Sequence, residues 1–242
     1  MHVDIFLQSI ATLADGALLT AALTVPSLAI GFGISVPLAF VRASDSRYLS
    51  WVILTYTYVF RGTPLLVQLF LVYYGLGQID VIRHSPLWVL LRDPFWCALL
   101  AFSLNSAAYT TELFRGAILA VPRGAIEAAE AIGMSRLQRA RLIVFPIAFR
   151  IALPSYTNEV IGLLKASSLA STVTLLEITG VARRLVSETF APYEIFLAAG
   201  VLYLGLTYLV AVIFRQLEKH LADAEPKAAR STATLSFGRV AQ

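Results

Sequence analysis

Three polar side chains recur along one face of an apolar segment. Asn105, Tyr109 and Glu112 stand at positions i, i+4 and i+7, so a helix would place them on one side. Amide, hydroxyl and carboxylate groups can form hydrogen bonds with a polar solute, but hydrocarbon solvates none of them. We therefore expect these side chains to face a bundle interior, a water-filled pathway or a partner chain.

A second polar set lies further along the chain. Ser155, Asn158 and Lys165 share one helical face, and Glu159 is about a quarter-turn away. One interpretation is that these residues and the first set line a pathway for a solute. The alternative is that they form hydrogen bonds between helices or reach the membrane surface, which applies above all to Glu112 near the end of its segment.

Other kinds of chemistry find no support in the sequence. The single cysteine, Cys97, lies in an apolar run, and the three histidines are scattered at positions 2, 84 and 220. They give neither metal-ligand spacing nor a nucleophile triad, and no glycine-rich phosphate loop is present. We therefore predict no metal site and no catalytic residue, and any chemical energy must come from another chain.

The elements that position the polar residues are predicted to be membrane-spanning helices. The chain has 242 residues, is 58% hydrophobic and 14% charged, and has a mean hydropathy of +0.74. Soluble domains carry about 25% charged residues, so water is not the main solvent here. Because about 20 apolar residues cross a bilayer, we predict an all-α membrane protein with about five spans, at 16–41, 62–79, 94–111, 151–176 and 195–214.

The basic residues predict the orientation of these spans. Thirteen Lys and Arg residues fall on one side and four on the other, and the basic side of a membrane protein is cytoplasmic. This places the N-terminus outside and the C-terminus in the cytoplasm. Gly62-Thr63-Pro64 predicts a kink or a helix start, so Arg61 would mark the cytoplasmic entry of the second span. The net charge of +4 then reflects this bias and anionic lipid rather than nucleic acid.

The predicted organisation has three parts. Residues 1–15 form an external segment, residues 16–217 a transmembrane domain with a cytoplasmic loop at about 115–150, and residues 218–242 a cytoplasmic tail. The tail is rich in Ala, Ser, Thr and basic residues and is expected to be mobile.

The cytoplasmic loop contains a short alanine-rich helix that resembles a docking element. Ala125, Ala128, Ala129 and Ile132 recur at helical spacing and form a small apolar face, while Glu127 and Glu130 lie on another face. Gly133 is suited to end the helix in the left-handed conformation. Ser135 followed by Gln138 predicts a capping box for the next helix.

The loop also carries a family resemblance. Glu127-Ala128-Ala129, then Gly133, Ile143 and Pro146, resembles the signature loop of permease subunits of ATP-binding-cassette (ABC) importers, with Phe145 where Leu is usual. Three further segments resemble the polar amino-acid branch, and most closely its histidine, lysine, arginine, ornithine and opine permeases: Arg61-Gly-Thr-Pro-Leu-Leu-Val-Gln68, Asn105-Ser-Ala-Ala-Tyr-Thr-Thr-Glu112, and Asn158-Glu-Val160 through Lys165-Ala-Ser-Ser168.

This resemblance implies a type I permease fold in a bacterial inner membrane and a set of partners. The chain would pair with a homologous permease, as a heterodimer or homodimer, and would receive polar or basic amino acids or opines from a periplasmic binding protein. Two ATPase subunits would hold the ATP and Mg, so this chain would carry no cofactor. The residues implied in ATPase coupling are Arg123, Glu127, Ala128, Ala129 and Gly133.

Two other functions remain open at this point. A secondary transporter driven by an ion gradient could use Glu159 or Glu112 to carry a proton, although no inverted repeat or glycine-broken helix pair is visible. A membrane-anchored structural or sensory subunit is the third alternative.

Overall fold

The computed structural model describes residues 3–44 and 46–223, and these residues form helices and short connections without any β-strand. The α-helices, in chain order, are α1 (Val3–Arg42), α2 (Arg47–Gly62), α3 (Leu65–Phe70), α4 (Asp80–Arg83), α5 (Trp88–Leu91), α6 (Pro94–Leu119), α7 (Arg123–Ala131), α8 (Arg136–Arg139), α9 (Phe145–Ala166), α10 (Ile178–Thr189) and α11 (Pro192–Asp223). The predicted all-α class is confirmed for this part of the chain.

Two turns of π-helix interrupt the α-helical geometry. One, Leu71–Gly75, follows α3, and the other, Ala140–Val144, joins α8 to α9. A 3-10 helix, Ser167–Val173, continues α9. The predicted spans at 62–79 and 151–176 are therefore not uniform α-helices.

Both ends of the chain differ in extent from the predicted segments. Helix α1 begins at Val3, so most of the predicted external segment 1–15 is helical, and residues 1–2 lie outside the described residues. Helix α11 continues through Asp223 into the predicted tail. The rest of the tail, 224–242, also lies outside the described residues.

Helices α1 and α6 pack closely along much of their length. The residues between them are small: a Cβ atom on Gly31 would lie 3.1 Å from the Cβ of Ser106, and Thr24, Ser27 and Thr110 are buried. Small side chains let helix backbones approach each other, which is how helices associate where no water drives them together. Helix α6 is thereby enclosed, with Phe102 and Phe114 almost fully buried.

Length and apolar character identify fewer spans than the sequence predicts. Ile5–Arg42 and Pro192–Leu221 could each cross a membrane, and up to four crossings result if two bent helix pairs each count as one. Helix α6 has 26 residues, enough to cross a bilayer, but its buried Ser, Thr and Asn side chains lower its apolar character. Five spans and the orientation of the termini therefore stay predictions.

The chain bends sharply between α2 and α3. The two segments Arg47–Gly62 and Leu65–Gln78 meet at 103°. Thr63 is extended, with φ −114° and ψ 144°, because the ring of Pro64 excludes a helical conformation at the preceding residue. The predicted kink or helix start is confirmed, since α3 begins at Leu65.

A buried carboxylate joins three helices at the opposite end of α9 from the predicted cytoplasmic loop. Glu177 is fully buried and caps α10, accepting hydrogen bonds from the backbone N–H groups of Thr179 at 2.8 Å and Gly180 at 2.9 Å. Tyr203 of α11 donates a third hydrogen bond to it, at 2.7 Å. Helix α1 reaches the same point, where a Cβ atom on Gly16 would lie 2.7 Å from the backbone nitrogen of Ile178.

Candidate functional site

The break between α2 and α3 forms one wall of a cleft whose other walls are α6 and α9. The cleft has a volume of about 430 Å³. A second cleft of about 510 Å³ shares three of its lining residues, Arg61, Tyr109 and Glu159. The first cleft is lined by Arg61, Gly62, Thr63, Pro64, Leu65, Asn105, Tyr109, Glu159, Gly162, Leu163 and Ala166.

Arg61 is positioned in both clefts by Tyr109. The Tyr109 hydroxyl donates a hydrogen bond to the backbone carbonyl of Arg61 at 3.3 Å, and the Arg61 guanidinium lies 5.4 Å from the centre of the Tyr109 ring. A guanidinium over an aromatic face is held by the negative potential of the ring. Arg61 is therefore an oriented cation in an open cleft, a role that the interpretation as a span entry did not include.

Asn105 and Gln68 support the break in the chain. The Asn105 amide donates to the side-chain oxygen of Gln68 at 3.0 Å, and the Gln68 amide donates to the carbonyls of Phe60 at 2.7 Å and Thr63 at 3.0 Å. A broken helix in a membrane must have its freed carbonyls satisfied by such side chains. Asn105 lines the first cleft, and its amide is also part of the scaffold.

Gln68 supports the site, and the polarity pattern alone did not single it out. It is buried, at 7% exposure, in a run of otherwise apolar residues. The signal available in the sequence was this isolation: a lone amide in an apolar segment must find hydrogen-bonding partners.

Glu159 provides the opposite charge. It lies on α9, is half-buried, and lines both clefts. Among the described residues no basic group forms an ion pair with it, although Arg61 is near enough to attract its carboxylate electrostatically. The two clefts therefore contain a basic and an acidic side chain that form no ion pair with any described residue.

Glu112 differs from Glu159 because other side chains of this chain already bind its carboxylate. It forms ion pairs with Arg42 at 3.1 Å and Arg115 at 2.7 Å, and accepts a hydrogen bond from Thr57 at 3.2 Å. It lines the second cleft, but these contacts join α1, α2 and α6. The geometry fits the interhelical alternative left open by the sequence.

The remaining pathway candidates separate in the structure. Asn158 is exposed and lines the second cleft together with Ser155. Lys165 is exposed and lines neither cleft. The shared face inferred from the spacing therefore does not bring Lys165 to the site, because the first cleft meets α9 at Gly162, Leu163 and Ala166 instead.

The second candidate site is the coupling loop, the predicted cytoplasmic loop at 115–150. Gly133 has φ +78°, and Met134 and Gly133 donate backbone hydrogen bonds to the carbonyls of Ala129 at 3.1 Å and Glu130 at 2.9 Å. This is the Schellman arrangement that ends a helix at a left-handed glycine. The predicted capping box is also present, since the side chain and backbone of Ser135 exchange hydrogen bonds with those of Gln138.

The predicted apolar face of α7 is divided. Ala129 is buried and Ala125 half-buried, whereas Ala128 is exposed and Ile132 is 74% exposed. Ile126 packs against the core in place of the expected residues. Ala128 and Ile132 are thus exposed on the surface of this chain. The side chains of Arg123 and Glu127 are exposed as well.

An ion pair between Glu130 of α7 and Arg139 of α8 bridges the glycine turn. Helix α8 continues through the π turn Ala140–Val144 into α9, which carries Glu159. The coupling loop is therefore linked through consecutive helical segments to the central clefts.

Residues 29–223 match the family of binding-protein-dependent transport system inner membrane components. The chain belongs to this family. The matched residues include both clefts and the coupling loop, and the match confirms the resemblance read from the sequence. The chain is a transport subunit.

Individual relatives match more than four fifths of the chain. The octopine transport system permease protein OccM of Rhizobium radiobacter is 48% identical over 211 residues, 87% of this chain and 86% of the relative. The histidine/lysine/arginine/ornithine transport system permease protein HisM of Escherichia coli (strain K12) is 42% identical over 205 residues, 84% of this chain and 86% of the relative.

A solved structure shares the fold. The crystal structure of an amino acid ABC transporter with histidines superposes with a TM-score of 0.76 at 29% identity, covering 88% of this chain and 96% of that one. The type I ABC permease fold expected from the resemblance is therefore the fold of this chain.

Proposed function

We propose that this chain is the membrane-spanning permease of an ATP-driven importer that carries polar or basic amino acids, or opines, across a bacterial inner membrane. The observation that carries the proposal is the pair of adjoining clefts lined by Arg61 and Glu159, two opposite charges without an ion-pair partner among the described residues. The names of the relatives OccM and HisM support the substrate class.

The chemistry of the clefts suits such solutes. An amino acid or opine carries at least one carboxylate and one ammonium group, and a guanidinium binds carboxylates through directed, charge-assisted hydrogen bonds. Arg61 would hold the carboxylate and Glu159 a cationic group, with Tyr109 and Asn158 adding polar contacts. Glu112 would fix the helices rather than bind the solute, since it already has two arginine partners.

The proposed assembly has its energy source on other chains. Two ATPase subunits would hold ATP and Mg in the cytoplasm and would contact α7 through Arg123, Glu127 and Ala128. A homologous permease would complete the pathway, as a heterodimer or a homodimer, and a periplasmic binding protein would deliver the solute. The five spans, with α6 as the third, would place the N-terminus outside and the C-terminus inside.

Coupling would proceed by movement of rigid segments. Closure of the ATPase dimer would displace α7, and the glycine turn and the Glu130–Arg139 ion pair would transmit the movement to α8. Because α8 leads into α9, the displacement would reach Glu159 and alter access to the clefts. The central site would thus open to one side of the membrane at a time.

The test is uptake by the purified assembly in proteoliposomes that contain the ATPase, with the binding protein outside. Radiolabelled arginine and octopine should accumulate only when ATP is enclosed. Uptake that follows an imposed proton gradient without ATP would contradict the proposal and would favour the secondary-transporter alternative.

A further inference from the structure

A groove separate from the central clefts lies between the end of α1 and the segment that joins α8 to α9. Its volume is about 650 Å³, and its walls are almost entirely apolar. Val36 and Phe40 form the α1 wall, and Leu137, Ala140 and Phe145 form the other. Two arginines, Arg136 and Arg141, complete the lining with the apolar parts of their side chains.

Both arginines are free to bind an anion. They are exposed, and among the described residues neither has an ion-pair partner, in contrast to the neighbouring Arg139, which pairs with Glu130. Within the part of the chain that the structure describes, no acidic side chain lines the groove. An occupant would therefore combine a long apolar part with a negatively charged head.

The position of the groove indicates where that occupant comes from. Val36 and Phe40 belong to the apolar run predicted to lie in the membrane, at the end where α1 reaches Arg42. The opposite wall belongs to the basic side of the protein, predicted to face the cytoplasm. Anionic lipid gives the cytoplasmic leaflet its negative potential, and basic pockets between helices bind such headgroups.

We infer that the groove binds an anionic phospholipid of the inner leaflet, with an acyl chain along Phe40 and Phe145 and the phosphate between Arg136 and Arg141. A docked ATPase is a poorer occupant, because the α1 wall lies within the predicted span, beyond the reach of a cytoplasmic protein. The π turn Ala140–Val144 contributes Ala140 and Arg141 to the groove. Bound lipid would brace the segment that connects the coupling loop to α9.

The inference goes beyond the transport function, and lipid binding can be measured independently of uptake. Native mass spectrometry of the detergent-purified assembly, titrated with phosphatidylglycerol or phosphatidylcholine, measures the affinity for each lipid. We compare wild type with the double variant Arg136→Gln/Arg141→Gln. Arg215→Gln is the matched control, since Arg215 is exposed, basic and on the same predicted side but outside the groove.

We expect the double variant to bind phosphatidylglycerol about 25-fold more weakly, roughly fivefold for each guanidinium lost. The Arg215→Gln variant should bind phosphatidylglycerol as tightly as wild type does. The affinity for phosphatidylcholine should be the same in wild type and in both variants. A second variant, Ala140→Phe, should lower phosphatidylglycerol binding by filling the groove while both arginines remain.

Equal phosphatidylglycerol affinity in wild type and the double variant would overturn the inference. So would a double variant that keeps its lipid and loses the ATPase subunit, because the arginines would then belong to a protein interface. Elution of each variant at the wild-type volume in size-exclusion chromatography checks that the assembly is intact.

Discussion

Tyr203 donates a 2.7 Å hydrogen bond to the carboxylate of Glu177 and so fastens α11 to the start of α10. The same carboxylate accepts hydrogen bonds from two backbone N–H groups of α10. Next to it, Gly16 of α1 packs closely against the backbone of Ile178. This buried carboxylate thus lies where the start of α10 packs against interior positions of α1 and α11. Breaking a single bond of this cluster should affect the stability of the whole helical arrangement.

We expect Tyr203→Phe to lower the free energy of unfolding by about 1.5–3 kcal/mol, the usual contribution of a hydrogen bond to a charged group. The reason is that Glu177 is fully buried, so no water can replace the hydroxyl. Denaturant unfolding in detergent measures the change. Tyr208→Phe on the same helix is the control, since Tyr208 is 70% exposed; equal stability of the two variants would contradict the prediction.

At Gly133, larger side chains should damage the coupling loop through the backbone alone. The position has φ +78° but open space around it, so a substituted side chain would meet strain rather than a clash. Gly133→Ala should destabilise the left-handed turn by about 1–2 kcal/mol, and Gly133→Val should destabilise it by more.

The measurement for Gly133 is the amount of ATPase subunit that co-purifies with each variant. Gly124→Ala is the matched control, because Gly124 lies within α7 at an ordinary helical position with nothing nearby, where alanine is tolerated or slightly stabilising. Wild-type ATPase binding by Gly133→Val would show that the left-handed cap does not orient α7.

Charge reversal at Glu127 should uncouple ATP hydrolysis from uptake while leaving the permease folded. The side chain is exposed, so its effect on stability should stay within about 0.5 kcal/mol. Loss of a charge-assisted contact with the ATPase would weaken the association roughly 10- to 100-fold.

Glu130→Gln is the comparison for Glu127→Lys. It removes the ion pair with Arg139 that is proposed to transmit movement to α8, so it should reduce uptake while the ATPase subunit binds as in wild type. Uptake and ATPase activity are measured together in proteoliposomes. Wild-type uptake by Glu127→Lys with the ATPase still bound would refute the coupling role.

Glu159→Gln should discriminate between solutes. If its carboxylate holds a cationic side chain, uptake of arginine should fall about 10- to 100-fold, whereas uptake of a neutral amino acid such as glutamine should change little. Arg61→Gln should reduce the uptake of both solutes, since each carries a carboxylate.

Glu112→Gln is the structural counterpart of Glu159→Gln. It removes one charge from a network with two arginines, so it should lower the yield of assembled transporter for all solutes alike. Equal loss of arginine and glutamine uptake in Glu159→Gln, with reduced assembly, would assign Glu159 to the scaffold as well.

The parts of the structure predicted correctly from the sequence depend on neighbouring residues. The glycine turn, the capping box and the break at Thr63-Pro64 each follow from backbone preferences within a few positions. Such local signals do not depend on how the helices pack, which is why Gly133 and Ser135 could be placed in advance.

Tertiary packing determined what the sequence left open. Helical spacing grouped Asn158 with Lys165 but could not show which part of α9 meets the clefts. Of these two residues, Asn158 lines a cleft and Lys165 does not. Spacing also could not reveal that Glu112 meets Arg42, 70 positions earlier in the chain. The span count differs for a related reason: α6 is enclosed by other helices, so it tolerates polar residues that a lipid-facing span would exclude.

The π turn at Ala140–Val144 accommodates one residue more than an α-helical turn would. Removing one residue there would let α8 and α9 form one ordinary α-helix while the segments on either side keep nearly the same orientation. Removing one residue from α9 itself would instead rotate everything before it by about 100° and shorten the helix by about 1.5 Å. The π turn is therefore a place where this segment can lose one residue without turning α7, and the surface proposed to meet the ATPase, to a new direction.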